Sequence, residues 1–217
     1  MKFIVLCYIK IKNLKNSESF YLYNRLTSKE KEEYQVDNGV SSYRRFLSGD
    51  DEGLTLIIKD YKDGFILYLN SYVNNIYIAE EIMEETFFKL AVKKPKFNEK
   101  SSFKTWLYTI GRNVAKDYIK HNAKFSMSPI EDVEKYLKDE TNLENLYIKS
   151  ERKIIVHRAL CKLKPEYYQV LWLSFFEEFT NQEIAKITGK SKRQVENLLY
   201  RAKQSLKLLL NKEGVSI

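Results

Sequence analysis

Apolar residues recur three and four positions apart from residue 54 to residue 119, in three successive stretches. The first stretch predicts one face of a helix about 20 residues, or roughly 30 Å, long. It consists of Leu54, Ile57, Ile58, Tyr61, Phe65, Tyr68, Leu69, Tyr72 and Val73. The second stretch predicts a helix over 79–92, which Pro95 follows. The third stretch predicts a helix that begins after a cap at Ser101 or Ser102. The apolar stripe of this helix ends at Ile119.

The same helical spacing returns in the last third of the chain. A helix is predicted around 150–163, and Pro165 suits the first turn of the next helix because no backbone donor is needed there. Residues 121–150 are acidic and weakly periodic, which is typical of a linker, with some helix near 133–147. Gly111 lies inside the third predicted helix, where glycine costs up to about 1 kcal/mol relative to alanine, so it indicates close helix packing.

Two helix-capping patterns flank a glycine near the C-terminus. Thr180 and Glu183 form one capping box, and Ser191 and Gln194 form a second. Gly189, between them, ends the first of these helices in the left-handed conformation that glycine tolerates. Two short helices joined by such a turn predict a helix-turn-helix, whose second helix enters the major groove of DNA.

Both halves of the chain carry side chains suited to nucleic acid. The second helix of the helix-turn-helix begins with donors for phosphates and purine edges, namely Lys192, Arg193, Gln194 and Asn197. The third predicted helix has cations beside aromatic residues, a combination that binds single-stranded DNA. These cations are Lys104, Arg112, Lys116 and Lys120. For the helix-turn-helix the alternative is a plain helical hairpin with a solvated charged face. For the third predicted helix the alternative is an ordinary solvated face beside aromatic core residues. Phe103 and Trp106 are expected in the core, and Phe97, in a polar stretch, is open to either role.

Composition narrows the fold class. The 217 residues include 7 glycines and 3 prolines, too few for the many tight turns of a sandwich or barrel. We therefore predict an all-α protein of two helical domains joined by a linker, the C-terminal one being the helix-turn-helix. The predicted divisions are an N-terminal extension of unknown role (1–48), a helical domain (49–121), an acidic linker (122–150) and the helix-turn-helix domain (151–217). Residues 43–46, within the extension, are a candidate start of the folded module.

Charge and cysteine content restrict the function. The net charge of +8 suits a polyanionic partner. Cys7 and Cys161 are too far apart for a zinc site or a disulfide framework, and neither His121 nor His157 has a ligand companion nearby, so we expect no metal and no cofactor. No apolar run reaches the length of a membrane span, and no cleavage site follows the apolar start. We therefore expect a cytoplasmic protein without membrane insertion.

Two parts of the chain resemble the sigma-70 family of bacterial RNA polymerase sigma factors. Residues 51–120 are similar to region 2 of that family, and residues 160–210 are similar to region 4. The stretches that carry the resemblance are Ala79–Phe87 and Ser101–Asn113 for region 2, and Leu163–Pro165, Asn181–Ala185 and Tyr200–Lys203 for region 4. Both regions occur in the family's order with a short connector, as in the compact extracytoplasmic-function (ECF) group.

The resemblance implies a factor that binds core RNA polymerase and directs promoter recognition, promoter opening and transcription initiation. Region 2 would dock on the coiled coil of the largest polymerase subunit and capture the minus-ten element as its strands separate. Region 4 would contact the flap of polymerase and bind the minus-thirty-five element as duplex. The chain itself would perform no covalent chemistry, so it would not be an enzyme. Members of this group commonly have an anti-sigma factor as a further partner.

The resemblance also assigns three sets of residues. The polymerase-binding set is Glu80, Glu81, Met83, Glu84 and Phe87. The minus-ten set is Asn98, Ser101, Ser102, Lys104, Arg112, Asn113, Lys116 and Lys120. The minus-thirty-five set is Ser191, Lys192, Arg193, Gln194, Asn197, Tyr200, Arg201 and Lys203.

Two other classes of protein stay open at this point. A stand-alone helix-turn-helix regulator would bind duplex DNA without polymerase, and a palindromic site and a dimer in solution would mark it. A nuclease would need clustered carboxylates that hold a metal ion, and the cluster from Glu80 to Glu85 is the one candidate for that role. Helical spacing spreads these carboxylates over more than one face, which argues against a shared metal ion.

Overall fold

The computed structural model describes residues 39–122 and 155–212, and every regular element in these two ranges is a helix. The first range, here called the first module, holds α1 (Val40–Leu47), α2 (Glu52–Val73), α3 (Ile76–Lys93) and α4 (Phe103–His121). The second range, the second module, holds α5 (described over 155–161), α6 (Pro165–Phe175), α7 (Asn181–Thr188) and α8 (Lys192–Lys212). The predicted all-α fold is confirmed. The predicted linker over 122–150, with its helix near 133–147, lies outside the described residues apart from Asn122.

The helices that apolar spacing predicts for the first module all form. The central helix is α2, which contacts α1, α3 and α4 and buries the Phe65 and Tyr68 rings completely. The start of α4 is as predicted, because the Ser102 hydroxyl accepts a hydrogen bond from the Thr105 amide at 3.2 Å. Helix α3 begins at residue 76 rather than 79, because the Asn75 side chain accepts hydrogen bonds from two amides of its first turn at 3.1 and 3.2 Å.

Helix α1 packs into the first module, as the candidate start at residues 43–46 allows, although it lies within the predicted N-terminal extension (1–48). Its Tyr43 and Phe46 side chains are buried in the common core. Gly53 in α2 allows the two helices to approach closely, since a Cβ at that position would lie 2.2 Å from the Ser42 carbonyl oxygen. The folded part of the first module therefore begins by Gly39, ahead of the predicted boundary at residue 49.

Gly111 has the packing role that its position in α4 predicts. A Cβ at Gly111 would lie 2.2 Å from Cζ of Phe65, whose ring is fully buried in α2. The missing side chain thus lets α4 lie against α2 at the centre of the first module.

Gly111→Ala should lower the free energy of unfolding by about 1 kcal/mol. Overpacking a core costs about 1–3 kcal/mol, and alanine returns up to about 1 kcal/mol of helix propensity. The measurement is urea unfolding followed by circular dichroism. Asn113→Ala is the control, because it lies in the same helix but is exposed, and it should leave the unfolding midpoint unchanged or slightly raised. Equal midpoints for the two variants would contradict the packing argument.

The helix-turn-helix of the second module forms as the capping patterns predict. The Thr180 hydroxyl accepts from the Glu183 amide, and the Glu183 carboxylate accepts from the Thr180 amide at 3.0 Å. Gly189 ends α7 with a φ of 67°, in the left-handed region. His157 is buried, with its Nε2 2.8 Å from the Tyr168 hydroxyl.

The two modules pack against each other and share one buried core. Helix α6 lies on α2, and α7 lies on α4. The Trp172 indole of α6 donates to the Gly64 carbonyl of α2 at 3.1 Å, and the Phe179 and Tyr108 ring centroids are 5.1 Å apart. Within the part of the chain that the structure describes, no helix is long and apolar enough to cross a membrane, and no three His, Cys, Asp or Glu side chains are grouped to hold a metal ion.

Candidate nucleic-acid interface

The outward side of α8 carries four of the eight residues of the minus-thirty-five set. Ser191 and Gln194 form the predicted capping box, because the Gln194 side chain accepts from the Ser191 amide at 2.7 Å and the Ser191 hydroxyl accepts from the Gln194 amide at 3.2 Å. The helix buries one stripe of apolar side chains against the rest of the module. Four exposed side chains lie on the opposite side, namely Arg193, Asn197, Tyr200 and Arg201.

A shallow cavity of about 270 Å³ lies along this side of α8. It is lined by Lys190, Gln194, Asn197, Leu198 and Arg201. The polar members are donors suited to phosphate oxygens and to the edges of purines. Lys190 was not among the predicted residues, and its position in the turn just before α8 brings it to the same surface.

Lys203 differs from the rest of the minus-thirty-five set. Its ammonium nitrogen lies 5.1 Å from the ring centroid of Phe175, a cation–π contact with α6. Lys203 is therefore directed toward the module's own aromatic residue. Lys192 is exposed, and its ammonium nitrogen lies 3.9 Å from Oε1 of Glu196.

Aromatic residues pack together where α4 begins. The Phe103 side chain is fully buried, and the Phe97 ring centroid is 5.7 Å from that of Phe103 and 5.2 Å from that of Trp106. Tyr43 of α1 adds a further ring, 5.4 Å from Phe103. The core role that the sequence favours for Phe103 and Trp106 thus extends to Phe97, which the polar surrounding sequence had left open.

Helix α1 also holds the loop that precedes α4. The Tyr43 hydroxyl donates to the Pro95 carbonyl at 2.6 Å, and Arg44 forms an ion pair with Glu99. Asn98 of the minus-ten set accepts from a backbone amide two residues further along at 3.2 Å. Residues from the segment that the sequence treated as an extension therefore fix the shape of a loop that carries part of the predicted site.

The structure divides the minus-ten set of α4 into two groups. The C-terminal half of the helix exposes three members, Asn113, Lys116 and Lys120. The remaining helix members and the cap, which are Ser102, Lys104 and Arg112, are half-buried where the second module packs on α4. The cations that the sequence placed on one surface thus have different surroundings in this conformation.

Basic groups of both modules meet beside the exposed half of α4. A Cβ at Gly189 would lie 2.7 Å from Nη2 of Arg112, so Arg112 reaches the turn of the helix-turn-helix. The pKa of Lys116 is lowered, first by desolvation and then by the positive charges of Arg112 and Lys190. Like charges gathered at an exposed surface produce a positive potential, which attracts a polyanion.

The outer side of α3 combines carboxylates with exposed apolar side chains. Tyr77 is 56% exposed, Phe88 61% and Val92 63%. Glu81 and Glu84 are exposed between them. At about 100° per residue these positions fall in a stripe roughly 100° wide, on the side of α3 that faces away from the core. We call this stripe the outer face of α3.

One residue of the predicted polymerase-binding set, Phe87, is buried in the structure rather than exposed to a partner. Phe87 is only 5% exposed, and its ring centroid lies 6.0 Å from that of Phe65 in the core, so it is not available to a partner. Phe88 is the exposed aromatic residue. Glu80 and Met83 are half-buried beside the outer face, and the pKa of Glu80 is raised by desolvation and by the neighbouring Glu84 carboxylate.

Known proteins that are similar to this chain show which family it belongs to. Residues 57–125 match the family described as Sigma-70 region 2, and residues 153–206 match Sigma-70, region 4. The RNA polymerase sigma factor SigV of Bacillus subtilis is 30% identical over 163 residues, which are 75% of this chain and 94% of SigV. This chain belongs to the sigma-70 family.

Other sigma factors agree with this assignment. The ECF RNA polymerase sigma-E factor of Escherichia coli is 26% identical over 172 residues, covering 75% of this chain and 88% of that protein. The solved structure of the sigma factor RpoE in complex with the anti-sigma factor NepR, from Bartonella quintana, has the same fold, with a TM-score of 0.53 at 20% identity over 72% of this chain and 96% of that one. The protein is thus an ECF-type RNA polymerase sigma factor that directs transcription initiation, and the resemblance to regions 2 and 4 is confirmed.

Proposed function

We propose that region 4 of this sigma factor binds the minus-thirty-five element as duplex through the outward side of α8. The supporting observation is that Arg193, Asn197 and Arg201 are exposed on the side of α8 opposite its buried stripe, beside a turn whose caps are formed. Phosphate contacts from the arginines would set the register on DNA, and side-chain contacts to base edges would specify the sequence.

We propose that region 2 captures the minus-ten element with α4 and the loop before it. Lys116 and Lys120 would follow the backbone of the separated strand, and Ser102 and Lys104 would bind near the loop, which Tyr43 holds in place. Contacts with the extruded bases would offset the cost of unstacking them, a few kcal/mol for each base. Promoter opening of this kind uses binding energy alone, so no catalytic group is needed in this chain.

The outer face of α3 is the surface that we assign to core RNA polymerase, on the coiled coil of its largest subunit. Its exposed apolar side chains would bury against the partner, and its carboxylates would pair with basic groups there. Region 4 would contact the flap of the polymerase. We therefore propose that the protein acts in the cytoplasm, together with the polymerase. We also propose an anti-sigma factor as a further partner.

The proposed function is tested by mixing the purified full chain with bacterial core RNA polymerase. We expect the two to co-migrate on gel filtration at moderate salt, and the mixture to initiate transcription from promoters that core polymerase alone does not use. A folded chain that stays apart from polymerase and instead binds a palindromic duplex as a dimer would favour the stand-alone regulator.

A further inference from the structure

The shallow cavity on the outward side of α8 combines hydrogen-bonding side chains with an apolar one. Four of its lining residues are Gln194, Asn197, Leu198 and Arg201. The middle two are each three or four positions from both of the outer two, so all four share one face of the helix. Leu198 is half-buried and is the apolar member of this group. The cavity therefore presents polar groups beside a small apolar surface.

The two carboxamides in the cavity differ in what they can still bind. Oε1 of Gln194 accepts from the Ser191 amide at 2.7 Å, so its acceptor points back to the beginning of α8. The Asn197 side chain is exposed, and no group in the part of the chain that the structure describes forms a hydrogen bond with it. Asn197 can therefore accept one hydrogen bond and donate another to the same ligand.

Asn197 lies midway between two arginines. Arg193 and Arg201 are four residues before and after it, or about 6 Å along the helix axis in each direction. The arginines would bind phosphates whichever bases are present. The neutral carboxamide between them gains no comparable energy from phosphate charge, so a preference for particular bases would come from Asn197.

We propose that the cavity recognises one A·T base pair of the minus-thirty-five duplex, with Asn197 on the adenine and Leu198 on the methyl group of the thymine. The proposal rests on the proposed function, since it requires the outward side of α8 to lie in the major groove. Adenine presents the acceptor N7 beside the N6 amino donor, and a carboxamide matches this pair with two hydrogen bonds. The thymine methyl group is an apolar feature of the same groove, and an apolar side chain matches it.

The same arrangement disfavours the other base pairs. Guanine presents two acceptors, N7 and O6, so Oδ1 of Asn197 would face O6 with no proton between the two oxygens. A G·C pair also has no methyl group to contact Leu198. In a T·A pair the two features exchange places, so that Asn197 meets the methyl group. Lys190 adds little preference for guanine, because its ammonium nitrogen forms an ion pair with Glu166 at 2.9 Å.

Competition between duplexes for the full chain measures this preference. The parent duplex carries the minus-thirty-five element of a promoter that the wild-type holoenzyme transcribes, and each base pair is replaced in turn. We expect one A·T pair at which replacement by G·C weakens wild-type binding about tenfold, as for a bidentate base contact. Asn197→Ala should lose this preference, whereas its salt slope should equal that of the wild type because no charge is removed.

Modified bases at that pair test the two contacts separately. The analogue 7-deazaadenine lacks the N7 acceptor, and uracil lacks the thymine methyl group, while both keep Watson–Crick pairing. We expect 7-deazaadenine to weaken wild-type binding about fivefold and to leave Asn197→Ala binding unchanged. We expect uracil to weaken wild-type binding about threefold and to leave Leu198→Ala binding unchanged.

Asn211→Ala is the matched control. It makes the same chemical change at an exposed residue of the same helix, near the C-terminal end of α8, and should keep the wild-type affinity and preference. Gln194→Ala is a second comparison. It removes part of the cap of α8, so we expect it to weaken the binding of all duplexes alike and to keep the A·T preference.

The outcomes separate this proposal from the proposed function. Retention of the preference by Asn197→Ala, its loss in Gln194→Ala alone, or wild-type binding without any preferred A·T pair would overturn the role of Asn197. Transcription that still depends on the minus-thirty-five element would then leave the proposed function intact. A wild-type chain that binds the parent duplex no better than a scrambled one, both free and in the holoenzyme, would overturn the proposed function, and the role of Asn197 with it.

Discussion

Charge reversal at Glu81 and Glu84 should weaken the binding of this sigma factor to core RNA polymerase by roughly thirtyfold. Both carboxylates are exposed on the outer face of α3. An exposed ion pair contributes up to about 1 kcal/mol, and reversal replaces attraction with repulsion. The double variant Glu81→Lys, Glu84→Lys should therefore lose about 2 kcal/mol of binding free energy. The measurement is the dissociation constant of the labelled chain for core polymerase at several salt concentrations.

Asp51→Lys, Glu52→Lys is the control for this prediction. Both residues are exposed at the beginning of α2, and the double variant changes the net charge by the same amount. We expect its dissociation constant to stay within about twofold of the wild-type value, and duplex binding by region 4 to be unchanged in both double variants. Equal weakening by the two would mean that net charge, rather than the outer face of α3, governs polymerase binding.

The parts of this fold that follow from local chemistry could be predicted from the sequence. Ser102, Thr180 and Ser191 cap helices because their hydroxyls accept amides within the same turn. Each of these hydrogen bonds spans three residues, so the sequence pattern contains both partners. The same holds for Gly189, whose left-handed conformation ends α7.

Features that depend on distant partners could not be predicted in the same way. Phe87 and Phe88 are neighbours with the same chemistry, and the direction of α2 decides which of them is buried. Lys203 has the same position in the motif whether it points to DNA or to Phe175. Gly64 lies against the carboxylate of Glu177, which is far along the chain and is not part of the pattern around Gly64.

The residues of the candidate site also divide into those predicted from local pattern and those that depend on distant partners. The outward residues of α8 were predicted because helical periodicity alone separates them from the buried stripe. The contact between Lys104 and Glu177 joins two modules that the sequence describes as separate domains. Each of these residues belongs to a different helical pattern, and neither pattern contains information on how the modules pack.

Replacing Arg193 and Arg201 with alanine should weaken duplex minus-thirty-five binding roughly fiftyfold at about 0.1 M salt. Each phosphate contact adds about 0.9 to the magnitude of the slope of log K against log salt concentration. At about 0.1 M salt, the loss of one contact therefore lowers the affinity by close to one order of magnitude. Both arginines are exposed on the outward side of α8. The double variant should therefore also lower the slope by about two units. The measurement is fluorescence anisotropy of a labelled duplex at a series of salt concentrations.

Lys203→Ala is the control that makes this prediction specific to the outward side of α8. It removes a positive charge from the same helix, but from a side chain in contact with the Phe175 ring. We expect its salt slope to equal that of the wild type, although family resemblance groups Lys203 with the arginines. A slope lowered by Lys203→Ala, or one unaltered by the arginine replacements, would mean that DNA lies on a different side of α8. In either case, the position of each charged side chain around α8, rather than its place in the motif, would determine its contribution to DNA binding.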